Sequence, residues 1–318
     1  MYVREETIDD LLRRVYGRLL RHGAPISPGR GSAVELTGVL LQLTNPRARL
    51  SRSEARGRVF SALGELLWYL RGTDRLDVIG YYLPEYADSS DDGKTIHGAY
   101  GPRLLKTHGT NQIRTVIALL RRWTDSRRAV VQLFAATDLA RRYKDVPCTC
   151  TWQFLLRERK LSMIASMRSN DAFLGLPHDV FTFTMMQELI ARSVGAELGD
   201  YYHFVGSMHL YDRNREQARQ YLAEGWQPTT SPMPPMPRGD PWPAVRGILR
   251  VEKAFRTTGK APPAPTNGYW RDLIRLLTVF RLAKDDDATG IAALRRRMVS
   301  QVYDPYIEAK EVAARGPR

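Results

Sequence analysis

The stretch from Asp145 to Tyr211 constrains the fold more than any other. Its runs WQFLL and LSMIASM are β-compatible, and the polar Arg157-Glu158-Arg159-Lys160 between them reads as the turn of a hairpin. A Gly- and Pro-punctuated loop follows, from Arg168 to Pro177. Phe181 to Val194 is apolar on most sides and stopped by Gly195, the pattern of a buried helix. VGSMHLY closes the stretch. A buried helix flanked by one Cys, one Arg, one Asp and one His outlines a reaction pocket. The alternative is an ordinary core with scattered polar residues.

Composition sets the outer bounds. With 318 residues, 43% of them hydrophobic, the chain has ample material for a core in one large domain or two. It lacks the run of about eighteen apolar residues that a membrane span needs. The first twenty residues read as a charged amphipathic helix rather than a signal peptide. Cys148 and Cys150 are too close for a structural disulfide, which points to a reducing cytoplasm. No metal site is expected from two cysteines and six dispersed histidines. The net charge of +14 comes from arginines spread along the chain, without interleaved aromatics. That pattern fits anionic small substrates better than nucleic acid.

In chain order, residues 1–21 read as a helix, 22–31 as a loop carrying Arg30, and Val34 to Leu43 as a strand. Ser53 caps a helix expected from Glu54 to Leu70, ended near Gly72. Residues 84–103 read as an irregular charged loop. A helix from Asn111 to Trp123 leads into a strand from Ala129 to Ala135. Cys148 to Phe154, Leu161 to Met167 and Tyr201 to Met208 extend the sheet, and Arg213 to Glu224 is helical. A proline cluster, SPMPPMPRGDPWP, then breaks periodicity, and 243–258, 268–284 and 286–316 look helical and basic. We therefore expect a catalytic unit over 1–232 and a basic helical extension over 233–318, packed on it.

The order of motifs carries a resemblance. Pro147-Cys148, Gln153-Phe154, Arg168-Ser169-x-Asp171, Leu174-Gly175-Leu176-Pro177 and His209-x-Tyr211 follow one another as in the thymidylate synthase family. Upstream, Glu65-Leu66-Leu67-Trp68-Tyr69-Leu70, Gly98-Ala99-Tyr100-Gly101 and Asp125-Ser126-Arg127-Arg128 resemble further motifs of that family, so the likeness spans roughly Arg30 to Tyr211. It implies an α+β fold with a large mixed β-sheet packed with helices, and a homodimer formed through the sheet. The last eighty or so residues do not match the family's usual ending.

The resemblance also assigns roles. Cys148 matches the nucleophile. A thiolate adding to C6 of a pyrimidine turns the electron-poor C5 into an enamine or enolate carbon able to attack an electrophile. A cation such as Arg168 would lower the thiol pKa. Cys150 reads as structural. Arg30, Arg168, Arg127 and Arg128 match the phosphate-binding arginines, whose guanidinium forks grip a dianion. Arg127 and Arg128 are implied to reach the partner subunit's pocket, and Ser169 adds a hydroxyl. Glu65, in an apolar helical stretch, matches the proton-handling carboxylate, because a charge placed there needs hydrogen bonds or a function. Tyr100 is implied to assist proton removal from C5, and His209 and Tyr211 to hold the sugar 3′-hydroxyl. Asp171 and Leu174 match positions that meet the pterin or the base, and Gly175 permits close backbone approach to the ring.

Two departures steer the choice within the family. Thymidylate synthases carry Asn where this chain has Asp179, after Leu176-Pro177-His178. An Asn amide matches the uracil edge. A carboxyl group suits cytosine instead, accepting from N4 and sharing a proton with N3. Asp179 here resembles the deoxycytidylate and cytidylate hydroxymethylases, though it would also serve as a helix cap before Val180. In the folate-facing loop, Leu83-Pro84-Glu85-Tyr86 replaces the usual Trp-Asp-Glu-Trp, and Thr149 replaces a His. Loss of the indole would loosen folate stacking and admit water, giving a hydroxymethyl rather than a methyl product. The expectation is a C5 hydroxymethylase of CMP or dCMP using 5,10-methylenetetrahydrofolate, with Leu83, Tyr86, Asp171 and Leu174 facing the folate. Thymidylate synthase acting on dUMP, a cytidylate C5 methylase and a non-catalytic nucleotide- or RNA-binding homologue are the alternatives.

Overall fold

The computed structural model describes residues 1–53, 58–107, 109–226, 232–259 and 267–316. Its strands are β1 (Tyr2–Glu5), β2 (Ala24–Ile26), β3 (Ala33–Leu43), β4 (Val130–Gln132), β5 (Thr149–Arg157), β6 (Lys160–Asp171) and β7 (Glu197–Tyr211). They form one seven-stranded sheet in the order β1-β3-β7-β6-β5-β4, with β2 paired to β3. β1–β3 and β6–β7 are parallel and the other pairings antiparallel, so the sheet is mixed. The hairpin predicted around Glu158 and Arg159 is a two-residue turn. Both take positive φ (47° and 59°), as the twist of a tight hairpin demands.

Helices cover one face. The principal ones are α1 (Ile8–His22), α2 (Val59–Arg71), α3 (Leu76–Ile79), α4 (Tyr100–Leu105), α5 (Gln112–Arg122) and α6 (Gly175–Val194). Thr7 caps α1 and Asn111 caps α5, each through its side chain. On the other face, Val130, Gln153, Ile164 and Tyr202 stand in register across four strands. Gln132, Thr151, Ser166, Phe204 and Leu40 form the next row across five. On this face Val130, on the edge strand β4, and Phe204, on the inner strand β7, are 42% and 41% exposed.

Several expectations shift. The N-terminal segment is a strand and then a helix, because Tyr2–Glu5 pairs with Leu40–Leu43. The expected start of a helix at Glu54 lies outside the described residues, and the described helix begins at Val59. The charged loop at 84–103 contains a 3-10 turn (Pro84–Ser89) and the start of α4. The strand expected over Ala129 to Ala135 shortens to β4. Asp179 does not cap a helix at Val180. The helix begins at Gly175, so Asp179 lies inside it, one turn on.

The remaining helices are α7 (Arg215–Ala223), α8 (Trp242–Thr258), α9 (Gly268–Lys284), α10 (Ala288–Arg295) and α11 (Asp304–Ala314). The helix expected over 286–316 is broken because the Asp272 carboxylate accepts from Val299 N–H and Ser300 N–H, which turns the chain there. Buried ions tie this region to the sheet unit. Glu252 on α8 receives Arg71 from α2 and Arg256. Glu188 on α6 accepts from the fully buried Arg49 (2.6 Å) and from Met236 N–H (2.9 Å). No described helix is long and apolar enough to cross a membrane.

Candidate active site

Cys148 lies just ahead of β5, and Arg168 faces it from β6. The Arg168 backbone N–H donates to Cys148 O (2.8 Å). Its guanidinium donates to Pro147 O (3.0 Å) and Val146 O (2.9 Å) and lies 3.8 Å from Cys148 Sγ. The Cys148 thiol is nevertheless pushed up to about 11. Burial is the main cause; Arg168 and Arg30 oppose it, and Asp145 and Asp179 reinforce it. The expectation of a depressed thiol pKa is therefore corrected for the substrate-free chain. Two carboxyl groups share the pocket with the sulfur, and Arg168 also serves backbone carbonyls.

Arg30, ahead of β3, donates to Lys144 O (3.0 Å) and lies 3.8 Å from Asp145. Asp145 was not expected. Burial raises its pKa, while Arg30 and Arg168 pull it down. Gly98 makes room for it, since a Cβ there would come within 2.2 Å of the Asp145 carboxylate. Ser169 Oγ lies 3.4 Å from His209 Nδ1, and the His209 and Tyr211 rings meet edge to face at 5.0 Å. The strand pairing of β6 with β7 thus gathers Arg168, Ser169, His209 and Tyr211 beside Cys148.

Glu65 on α2 is buried and well supplied with partners. Tyr86 OH donates to its Oε1 (2.8 Å), Tyr69 OH does so at 3.2 Å, and His178 Nδ1 lies 3.3 Å from Oε2. His178, which sequence reasoning passed over, also meets Ser61 Oγ at 3.1 Å. Tyr86 therefore faces Glu65 with its hydroxyl and Trp68 with its ring edge. The Tyr100 hydroxyl accepts from Thr149 N–H (3.1 Å) and Thr149 Oγ1 (2.9 Å), so the Thr149 replacement bears directly on Tyr100. Burial holds the Tyr100 pKa well above its ordinary value, and the phenol is neutral.

Asp179 is the pocket's most perturbed acid. Burial holds its pKa well above the carboxylate range, Glu65 and Asp171 add repulsion, and a hydrogen bond from Asn170 Nδ2 (2.8 Å) works the other way. At Gly175 a Cβ would stand 2.8 Å from Asn170 Nδ2, so the packing here also calls for glycine. Asp171 Oδ1 accepts from Phe173 N–H (2.8 Å) and Leu174 N–H (3.0 Å), and Oδ2 accepts from no described residue. Beside half-buried Leu174, that free oxygen suits a ring bearing N–H donors, as a pterin does. Leu83 is instead buried in the core, 6% exposed.

Arg127 and Arg128 stand apart. They precede β4 and are exposed. Arg127 O accepts from Gln153 Nε2, which puts this segment five residues along β5 from Cys148, about 17 Å at strand spacing.

A profile of the thymidylate synthase family matches residues 55–236, more than half of the chain. The chain belongs to the thymidylate synthase family. A deoxyuridylate hydroxymethyltransferase from Delftia phage PhiW-14 is 32% identical over 206 residues, covering 60% of this chain. The chain spans 57% of that relative's length. Family membership and the mixed sheet agree with the motif order. Of the polar groups sequence reasoning missed, Asn170 is the unassigned position in Arg-Ser-x-Asp. His203 was legible only as a polar residue in the inward alternation Tyr201, His203, Val205 of β7.

Proposed function

We propose that the chain is a pyrimidine-nucleotide C5 hydroxymethyltransferase acting on CMP or dCMP, with 5,10-methylenetetrahydrofolate as one-carbon donor. The observation that carries this reading is Asp179, whose carboxyl group burial holds well above the ordinary range in the pocket where a uracil enzyme carries Asn. A neutral carboxyl group donates to N3 of cytosine and accepts from N4. Arg30, Arg168 and Ser169 hold the phosphate, and His209 and Tyr211 the sugar hydroxyl. Cys148 attacks C6, and as the substrate base takes a proton at N3 the ring becomes the better electrophile. Glu65, polarised by Tyr86, Tyr69 and His178, moves protons, and Tyr100 assists at C5. The folate supplies the methylene unit when bound. Asp171, Leu174 and Tyr86 would hold it, with Leu83 backing them from the core.

Arg127 and Arg128 serve the phosphate of a second copy in this reading. The sheet face that carries exposed Val130 and Phe204 forms the dimer face. Residues 1–232 constitute the catalytic unit and 233–318 a helical extension locked on by Glu188 and Glu252.

A second reading, dUMP as substrate, has the phage relative's name in its favour. Incubation with CMP, dCMP, UMP and dUMP plus the folate, with products identified by mass, separates the two. A hydroxymethyl product from a cytidylate is expected. A product from dUMP alone would overturn the cytidylate assignment, and a methyl product the hydroxymethyl one.

A further inference from the structure

Behind Asp179, four polar groups stand in one line. The Tyr201 hydroxyl meets His203 Nδ1 at 2.6 Å, and His203 Nε2 meets Asn170 Oδ1 at 2.9 Å. Asn170 Nδ2 donates to Asp179 Oδ2 at 2.8 Å. Tyr201 and His203 come from β7, Asn170 from β6 and Asp179 from α6, and the first three are buried.

The line has one self-consistent set of directions. Burial keeps Tyr201 protonated, so its hydroxyl donates to Nδ1. Burial also keeps His203 neutral, with its pKa pushed down to about 3. Its single ring proton is then on Nε2 and donates to the Asn170 oxygen. That turns the Asn170 amide nitrogen toward Asp179; the flipped amide would face two donors with each other. Asp179 Oδ2 is thereby fixed as an acceptor, and the proton of the neutral carboxyl group falls to Oδ1.

A carboxyl group free to place its proton presents donor and acceptor in either order. Cytosine and uracil present opposite orders at position 3 and the position 4 substituent. We propose that Tyr201, His203 and Asn170 are positioning residues that fix which oxygen of Asp179 donates, so that the carboxyl group reads one pyrimidine edge and rejects the other. This rests on the assignment of Asp179 to the base, made above.

Two measurements test it in the full-length protein. In the unaltered enzyme at pH 7, ¹⁵N NMR of the histidine rings should show His203 as the neutral Nε2–H tautomer, with His203→Gln assigning the signal. Kinetically, the ratio of kcat/KM between cytidylate and uridylate should fall about tenfold in His203→Leu, the effect of losing one directed buried hydrogen bond. It should stay within roughly threefold in His203→Gln, whose amide can donate to Asn170 and accept from Tyr201. A protonated or Nδ1–H ring overturns the relay, and so does an unchanged ratio in folded His203→Leu. If that variant fails to fold, the tautomer and the His203→Gln ratio decide. An unaltered enzyme that prefers uridylate sinks the cytidylate assignment alone. The relay then stands only where His203→Leu erodes that preference and His203→Gln keeps it.

Discussion

Replacing Asp179 by Asn probes base choice and stability with one change. Asn170 Nδ2 donates to Asp179 Oδ2 at 2.8 Å, so the new amide is expected to keep its oxygen there and turn its NH2 toward the position of Oδ1. The variant keeps donor and acceptor in the order a cytosine edge takes, but its amide has no proton to give to N3. A mismatched edge then leaves a buried donor or acceptor unpaired, which costs roughly 1–3 kcal/mol. At about 1.4 kcal/mol per tenfold, discrimination against uridylate by one to two orders of magnitude in kcat/KM should therefore survive the change, while kcat for cytidylate falls with the lost proton. Stability should move as well. The folded pKa of Asp179 is raised, so above the unfolded value (about 3.9) ionisation favours the unfolded chain, and the folded state is penalised progressively as pH rises toward the folded pKa. Asp179→Asn removes that penalty. Its Tm should exceed that of the unaltered protein at pH 7, with the gain shrinking as pH falls toward 4. A gain that grows toward pH 4, or a base preference that reverses to uridylate, would refute the reasoning.

Cys148→Ser should abolish turnover while leaving nucleotide binding by calorimetry largely intact, whereas Cys150→Ser should be nearly silent; normal turnover in the former rules out covalent catalysis. In the substrate-free protein, alkylation of Cys148 should be slow at pH 7 and rise as pH approaches 11, since burial holds the thiol there. Fast neutral alkylation would show a thiolate already present. Mixing Arg127→Ala with Cys148→Ser should restore part of the activity through hybrid dimers with one intact site. No recovery despite proven subunit exchange counts against the shared pocket. Glu188→Ala strands the buried Arg49 and should lower stability in urea by about 3–5 kcal/mol. A loss below ~1 kcal/mol would mean that Arg49 finds water or another acceptor.

Much of this molecule is written locally. The hairpin around Glu158, the strand at Val34 and the end of the helix stopped by Gly195 follow from periodicity and turn chemistry within a few residues and formed where expected, whereas that helix starts six residues before Phe181, at Gly175, inside the expected loop. The motif order placed Cys148, Arg168, Asp179 and His209 in a family whose sheet brings them together. What the sequence could not decide is set by contacts between distant segments. Tyr2–Glu5 became a strand because a parallel partner at Leu40–Leu43 outweighs helix propensity. The last long helix broke because Asp272, more than twenty residues earlier, captures two backbone amides. The Cys148 thiol is raised, although Arg168 stands near, because the fold buries it, with repulsion from neighbouring Asp145 and from Asp179 on α6 adding to that. Hydrogen-bond direction is likewise tertiary. Nothing in the letters Asn170, His203 and Tyr201 orders their protons, and only burial without solvent, with one partner for each atom, fixes which group donates.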